Sequence, residues 1–237
     1  MCFKKTKMIN QNKTRISIFY TLAYYLFALA VWGFTYVMLT KILPYMTFER
    51  AINFLGTKSD EVLDKQYFIL AFYVHITTSV FALGGGIFQF SVLLMQKYPR
   101  VHQWIGKLYV FSILILAAPS GLVIAMYANG GLGCKVGFVL QCFVWWTLTY
   151  WAYEAVLKKQ YSLHTNMMLR SFALTLAAMS LRTESYLMYY FFQTKPIETY
   201  QTVTWLSWVG NLLFVECLIY YGLSKRLIIS SLDKNKL

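Results

Sequence analysis

The sequence predicts an all-α, polytopic transmembrane helix bundle of about six spans. Three observations carry this. The chain of 237 residues is 58% hydrophobic and 19% aromatic, with a mean hydropathy of +0.50. Only 13% of it is charged, about half of what a soluble domain carries. Apolar runs of about 20 residues, the length that crosses the hydrocarbon as a helix, recur along nearly all of it. Backbone groups in lipid must be satisfied within the segment, which favours helices over the short alternating strands of a barrel.

The expected spans run over residues 18–43, 67–95, 106–127, 136–157, 167–192 and 203–223. The first is too long for a signal-peptide core and has no small-residue cleavage site, so it reads as a retained anchor. Connections are short, which points to one integral membrane domain over 1–237, with an N-terminal segment at 1–17 and a polar tail at 224–237. The exception is the first outer loop, 44–66, which mixes acids, bases and aromatics. Two readings of it stand equal, a short interfacial helix and an ordered surface loop.

The net charge of +13 raises nucleic acid as a partner, but its distribution argues against it. Alternate connections hold 15 of the 22 Lys and Arg: Lys4, Lys5, Lys7, Lys13 and Arg15 before the first span, Lys97, Arg100 and Lys107, then Lys158, Lys159 and Arg170, and finally Lys225, Arg226, Lys234 and Lys236. The opposite side holds Lys41, Arg50, Lys58, Lys65, Lys135 and Lys195 with most of the acids. This is the positive-inside pattern with both termini cytoplasmic, and the expected partner is the lipid bilayer. Cys2, Cys134, Cys142 and Cys217 show no CxxC spacing, so neither a disulfide framework nor a zinc site is expected.

The chain has three histidines. His102 and His164 each open an apolar run on the cytoplasmic side. Facing each other, they would supply two ligands to a metal or to a haem iron. Gly84, Gly85 and Gly86, with Gly85 at the centre, and Gly106 at the entrance of the third span lack side chains where a flat group or a second backbone approaches. These are the ingredients of a b-type haem pocket. Interfacial solvation of helix ends and plain helix packing explain the same residues.

A second group lies deeper. His75, Arg182 and Glu184 fall inside apolar runs, with Arg182 and Glu184 ~12–17 Å inward from Phe192 at 1.5 Å per residue. Charges there cost at least ~2.5–3.5 kcal/mol each on insertion scales, so they should face protein or a water cavity. Arg182 and Glu184 point to different sides of their helix. Glu216 is the expected partner of Arg182, and His75 that of Glu184. Such a group serves as a structural clamp, as a proton or substrate path, or as support for a cofactor. Glu154 and Lys158 stand at i,i+4, the spacing of an ordinary helical ion pair. No P-loop, GxGxxG, HExxH or GxSxG motif is present.

One offset recurs. His102 and His164, Trp146 and Trp208, and Glu154 and Glu216 are each 62 residues apart, as a parallel repeat of two helices would place them.

The stretches HQWIGKLYV, from His102, and HTNMMLRSFALTLAAMSLR, from His164 to Arg182, resemble the bacterial membrane proteins grouped as domain of unknown function 2306. That family's first stretch is matched by His102, Gly106, Lys107 and Tyr109, and its second by His164, Met168, Arg170, Ser171 and Arg182. Gln103 stands where the pattern has arginine, and Met167 where it has tryptophan. The resemblance implies a helical bundle in the bacterial cytoplasmic (inner) membrane and brings no settled activity. Three functional readings follow from the residues. The first is a redox or electron-transfer protein with one b-type haem on His102 and His164. The second is a transporter or permease-like bundle built on His75, Arg182, Glu184 and Glu216. The third is a scaffold or assembly factor that binds a membrane-protein partner.

Overall fold

The computed structural model describes residues 2–49 and 52–232, with side chains from residue 20 onward. Cys2, Lys4, Lys5, Lys7, Lys13, Arg15, Arg50, Lys234 and Lys236 fall outside the described side chains. Among the described residues there are eleven α-helices and no strand. Five helical runs are long and apolar enough to cross a membrane: Tyr20–Thr47, Gln66–Phe90, Pro99–Met126, Leu132–Leu157 and Pro196–Tyr220.

Helix α1, Cys2–Ile42, is 41 residues long and rides on the outside of the bundle. It buries Val31 and Thr35 and exposes Leu22, Tyr25, Leu26, Leu29 and Tyr36, as a lipid-facing helix does. Beyond it comes the 44–66 loop, described except for residues 50 and 51. It folds as 3₁₀ turns at Leu43–Thr47 and Leu55–Thr57 and a single turn α2, Asp60–Leu63. Tyr45, Leu55 and Leu63 bury against Phe68 and Phe72 of α3, Gln66–Gly86. The loop therefore has a small apolar core of its own.

The second expected span ends early. α3 tightens into a 3₁₀ turn at Ile87–Phe90 and stops at Ser91. The Ser91 hydroxyl accepts the Leu94 N–H at 3.3 Å and caps the short α4, Val92–Lys97. Pro99 then opens α5, Pro99–Phe111, from a position where its missing N–H costs nothing. A π-helical segment, Ser112–Ala117, joins α5 to α6, Ala118–Met126. Pro119 has no N–H for the carbonyl four residues back, which explains a disturbed ladder at this point. α7, Leu132–Leu157, follows a turn in which Gly130 and Gly131 take positive φ.

The expected single span at 167–192 is two helices. α8, Tyr161–Thr175, and α9, Ala177–Phe192, meet at Leu176 and are 15 and 16 residues long. α10, Pro196–Tyr220, completes the bundle. The expected tail begins instead with α11, Leu223–Leu232, which turns back at Gly222 and packs on α4 and α8.

Both interrupted passages are repaired from neighbouring helices. At the π segment the Trp146 indole N–H donates to the Leu114 carbonyl at 3.1 Å. At the Leu176 break, the Asn211 amide donates to the Ala173 carbonyl at 3.0 Å and accepts from the Ser180 hydroxyl at 2.8 Å. Such repair is what lipid demands of a broken helix. The breaks also keep the 62-residue offset. Leu176 lies that far beyond Leu114 in the middle of the π segment, and the starts of α5 and α8 are separated by the same interval.

The main core joins Val31, Leu83, Ile87, Tyr109, Ile113, Trp145, Phe172 and Trp208. Aromatic side chains mark both ends of the bundle: Tyr186, Tyr189, Tyr190, Phe191 and Phe192 outside, Tyr220 and Tyr221 inside.

Candidate functional site

At the inner end, α5 and α8 each present a histidine from the first turn. His102 and His164 stand two helical turns before Tyr109 and Ser171, whose hydroxyls are 3.0 Å apart. His164 Nδ1 lies 2.8 Å from the carbonyl of Ala152 on α7. A carbonyl only accepts, so Nδ1 carries the proton and Nε2 keeps its lone pair. His102 is partly buried, and its Nδ1 is buried with no partner. Asn166 Oδ1, two residues beyond His164, is likewise buried without a partner.

The glycines divide by role. A Cβ on Gly86 would sit 2.7 Å from the rings of both Tyr109 and Phe172, so this residue lets α3 close on α5 and α8. A Cβ on Gly84 would stand 3.1 Å from the Thr35 methyl of α1. One on Gly85 would meet no other helix within 4 Å, so the close approaches belong to its two neighbours. At Gly106 the space is taken by Gln89, whose Oε1 would be 2.8 Å from an added Cβ. The Gln89 amide also donates to the His102 carbonyl at 3.5 Å.

One layer deeper lies a buried hydroxyl network that the sequence does not announce. The Tyr109 hydroxyl is 2.8 Å from Thr175 Oγ1 and 3.0 Å from Ser171 Oγ. Trp145 Nε1 donates to Thr175 at 3.1 Å, and Thr149 is 2.7 Å from Ser171. Tyr109 stands seven residues after His102 and Ser171 seven after His164. Two helical turns thus bring the histidine faces and the network faces into line. The equal i+7 spacing is the signal by which a sequence reader would find it.

The deeper polar group does not assemble as expected. Glu216 pairs with Arg170, not Arg182, through two N–H···O bonds, the Nη2–Oε2 one at 2.8 Å. Glu216 lies one turn from the inner end of α10, opposite Arg170 in the second half of α8. Arg182 is twelve residues further along, ~18 Å nearer the outside, beyond reach of that carboxylate. Arg182 donates to the Ala178 carbonyl at 2.8 Å and is exposed on the bundle surface, close to Tyr45. Glu184 does not meet His75. Its Oε2 is buried with no partner, while His75 donates Nδ1–H to the Ala117 carbonyl at 2.8 Å. His75 fits there because Gly121 leaves room, an added Cβ standing 2.9 Å from the ring. The local expectation does hold for Glu154 and Lys158, which pair at 2.6 Å.

Among the described residues no three His, Cys, Asp or Glu side chains come together as a metal site, and Cys134, Cys142 and Cys217 are free.

A family model described as a predicted membrane protein (DUF2306) matches residues 72–219, which include all three histidines, Arg170, Arg182 and Glu216. No curated protein and no solved structure matches the chain.

Proposed function

The chain belongs to the DUF2306 family of predicted membrane proteins, and from its inner-end histidines we propose that this multi-pass protein is a redox protein holding one b-type haem between His102 and His164. The carrying observation is the equivalent placement of the two imidazoles on α5 and α8, each two turns before the Tyr109–Ser171 contact, with His164 fixed through Nδ1 by Ala152 and offering Nε2. A ligating histidine is commonly held by such a second hydrogen bond to a backbone carbonyl. The buried, partnerless Nδ1 of His102 is the kind of polar atom that a bound group explains. His75 sits apart from this pair, on α3 with its ring against Gly121, which leaves two histidines at the inner end and hence one bis-imidazole centre.

A haem would supply one-electron chemistry. The protein's part is to hold the iron with the two rings and to wall it from water. Gln89, which fills the notch at Gly106, is the side chain that would turn aside. The permease-like reading has less support, because His75, Arg182, Glu184 and Glu216 do not converge on one site.

The test is the visible spectrum of the protein purified from a haem-replete host. The expected result is a Soret band that His102→Ala and His164→Ala each abolish and His75→Ala retains. A colourless protein refutes the proposal.

A further inference from the structure

Beside His164, where α7 ends and α8 begins, lies an open groove of about 310 Å³. That is near the lower end of ligand-sized pockets. One wall is apolar: the exposed ring of Trp151, with Leu163 and Met167. A flat unsaturated ring stacks on an indole and contacts a thioether sulfur favourably. The other end is polar and carries Glu154, Lys158 and Gln160.

The charges at that end select the occupant. Lys158 and Glu154 face each other at 2.6 Å, so their charges cancel and the groove favours neither a net anion nor a net cation. Lys158 still has N–H groups beyond the one given to Glu154, and Gln160 has an amide NH₂. The polar end therefore offers donors to a neutral acceptor, such as a carbonyl oxygen.

The position narrows it further. Trp151 and Leu163 are exposed at the inner end of the bundle, where a lipid-soluble molecule arrives laterally. Leu163 directly precedes His164, and Trp151 directly precedes Ala152, whose carbonyl holds the His164 ring. The groove and the histidine thus lie between the same two helices, α7 and α8.

Resting on the redox reading above, we propose that this groove binds the ring of a membrane quinone, with Trp151, Leu163 and Met167 on its faces and Lys158 and Gln160 donating to a ring carbonyl.

The test uses the full chain in detergent, titrated with decylubiquinone while tryptophan fluorescence is followed. The expected result is saturable quenching whose main component is lost in Trp151→Phe. The apparent Kd should weaken at least tenfold in Lys158→Met/Gln160→Leu and in Leu163→Trp, which fills the groove. Each variant is compared at equal monodispersity on gel filtration. Quenching that does not saturate, or that is unchanged in all three variants, overturns the proposal. So does equal displacement by phosphatidylglycerol, which would make the groove a lipid site. The titration is repeated on His102→Ala, which lacks the candidate haem ligand. Saturable binding there with no Soret band in the parent protein would refute the haem while the groove stands. A Soret band without saturable binding would do the reverse.

Discussion

Gly85 and Gly86 are adjacent, yet replacing each by alanine should give opposite results. At Gly86 the new methyl would stand 2.7 Å from a ring carbon of Tyr109 and 2.7 Å from one of Phe172. Neither ring can yield easily. Tyr109 is 2% exposed and tied through its hydroxyl to Ser171 and Thr175, and Phe172 is 4% exposed. Forcing a methyl into such packing costs about 1–3 kcal/mol. At Gly85 no atom lies within 4 Å, so alanine brings no clash and adds up to about 1 kcal/mol of helix propensity. For a chain of this size each kcal/mol moves the melting temperature by about 2–4 °C. Melting of the detergent-solubilised variants, followed by intrinsic fluorescence at one fixed scan rate, should place Gly86→Ala several degrees below the parent and Gly85→Ala at or above it. Equal losses, or an intact Gly86→Ala, would refute the claim that Gly86, and not Gly85, carries the contact of α3 with α5 and α8.

The Arg170–Glu216 pair predicts charge-swap rescue. Arg170→Glu should cost about 1–2 kcal/mol, discounted because the Glu216 side chain is 47% exposed, and the double variant with Glu216→Arg should recover a measurable part in a double-mutant cycle. Arg182→Glu should show no such coupling to Glu216. Lys58, in the outer loop, predicts a pH effect. Its ammonium donates to the Tyr127 carbonyl and to Asn129 Oδ1, and burial first, then Lys135 nearby, lowers its pKa to about 8. Between about pH 8 and the ordinary lysine value of 10.5 the unfolded chain holds more protons than the folded one, so this residue's contribution makes stability rise with pH across that window. The rise should vanish in Lys58→Met, measured as melting temperature against pH, and a parent profile that is flat or falling there beside an identical variant profile would contradict the assignment.

The apolar runs and their order were legible because lipid imposes one gross rule, about 20 apolar residues per crossing. Glu154 with Lys158 was legible because the i,i+4 relation is local to one helix. The partners of Glu216 and His75 were not. They depend on how far each helix slides and rotates against the next, which is set by contacts such as Gly86 on Phe172 and Gly121 on His75. Hydropathy also passes over the break at Leu176, since the residues on both sides are equally apolar. What marks the break lies in another helix, at Asn211. α11 was read as tail because ten residues with Lys225 and Arg226 are too short and too polar to resemble a span.

Asn211 gives the divided passage a mechanical property. One amide grips a carbonyl below the joint and a hydroxyl above it, so bending at Leu176 would have to break one of these bonds or carry α10 along. The discontinuity is a joint pinned from the side, and not a loose hinge.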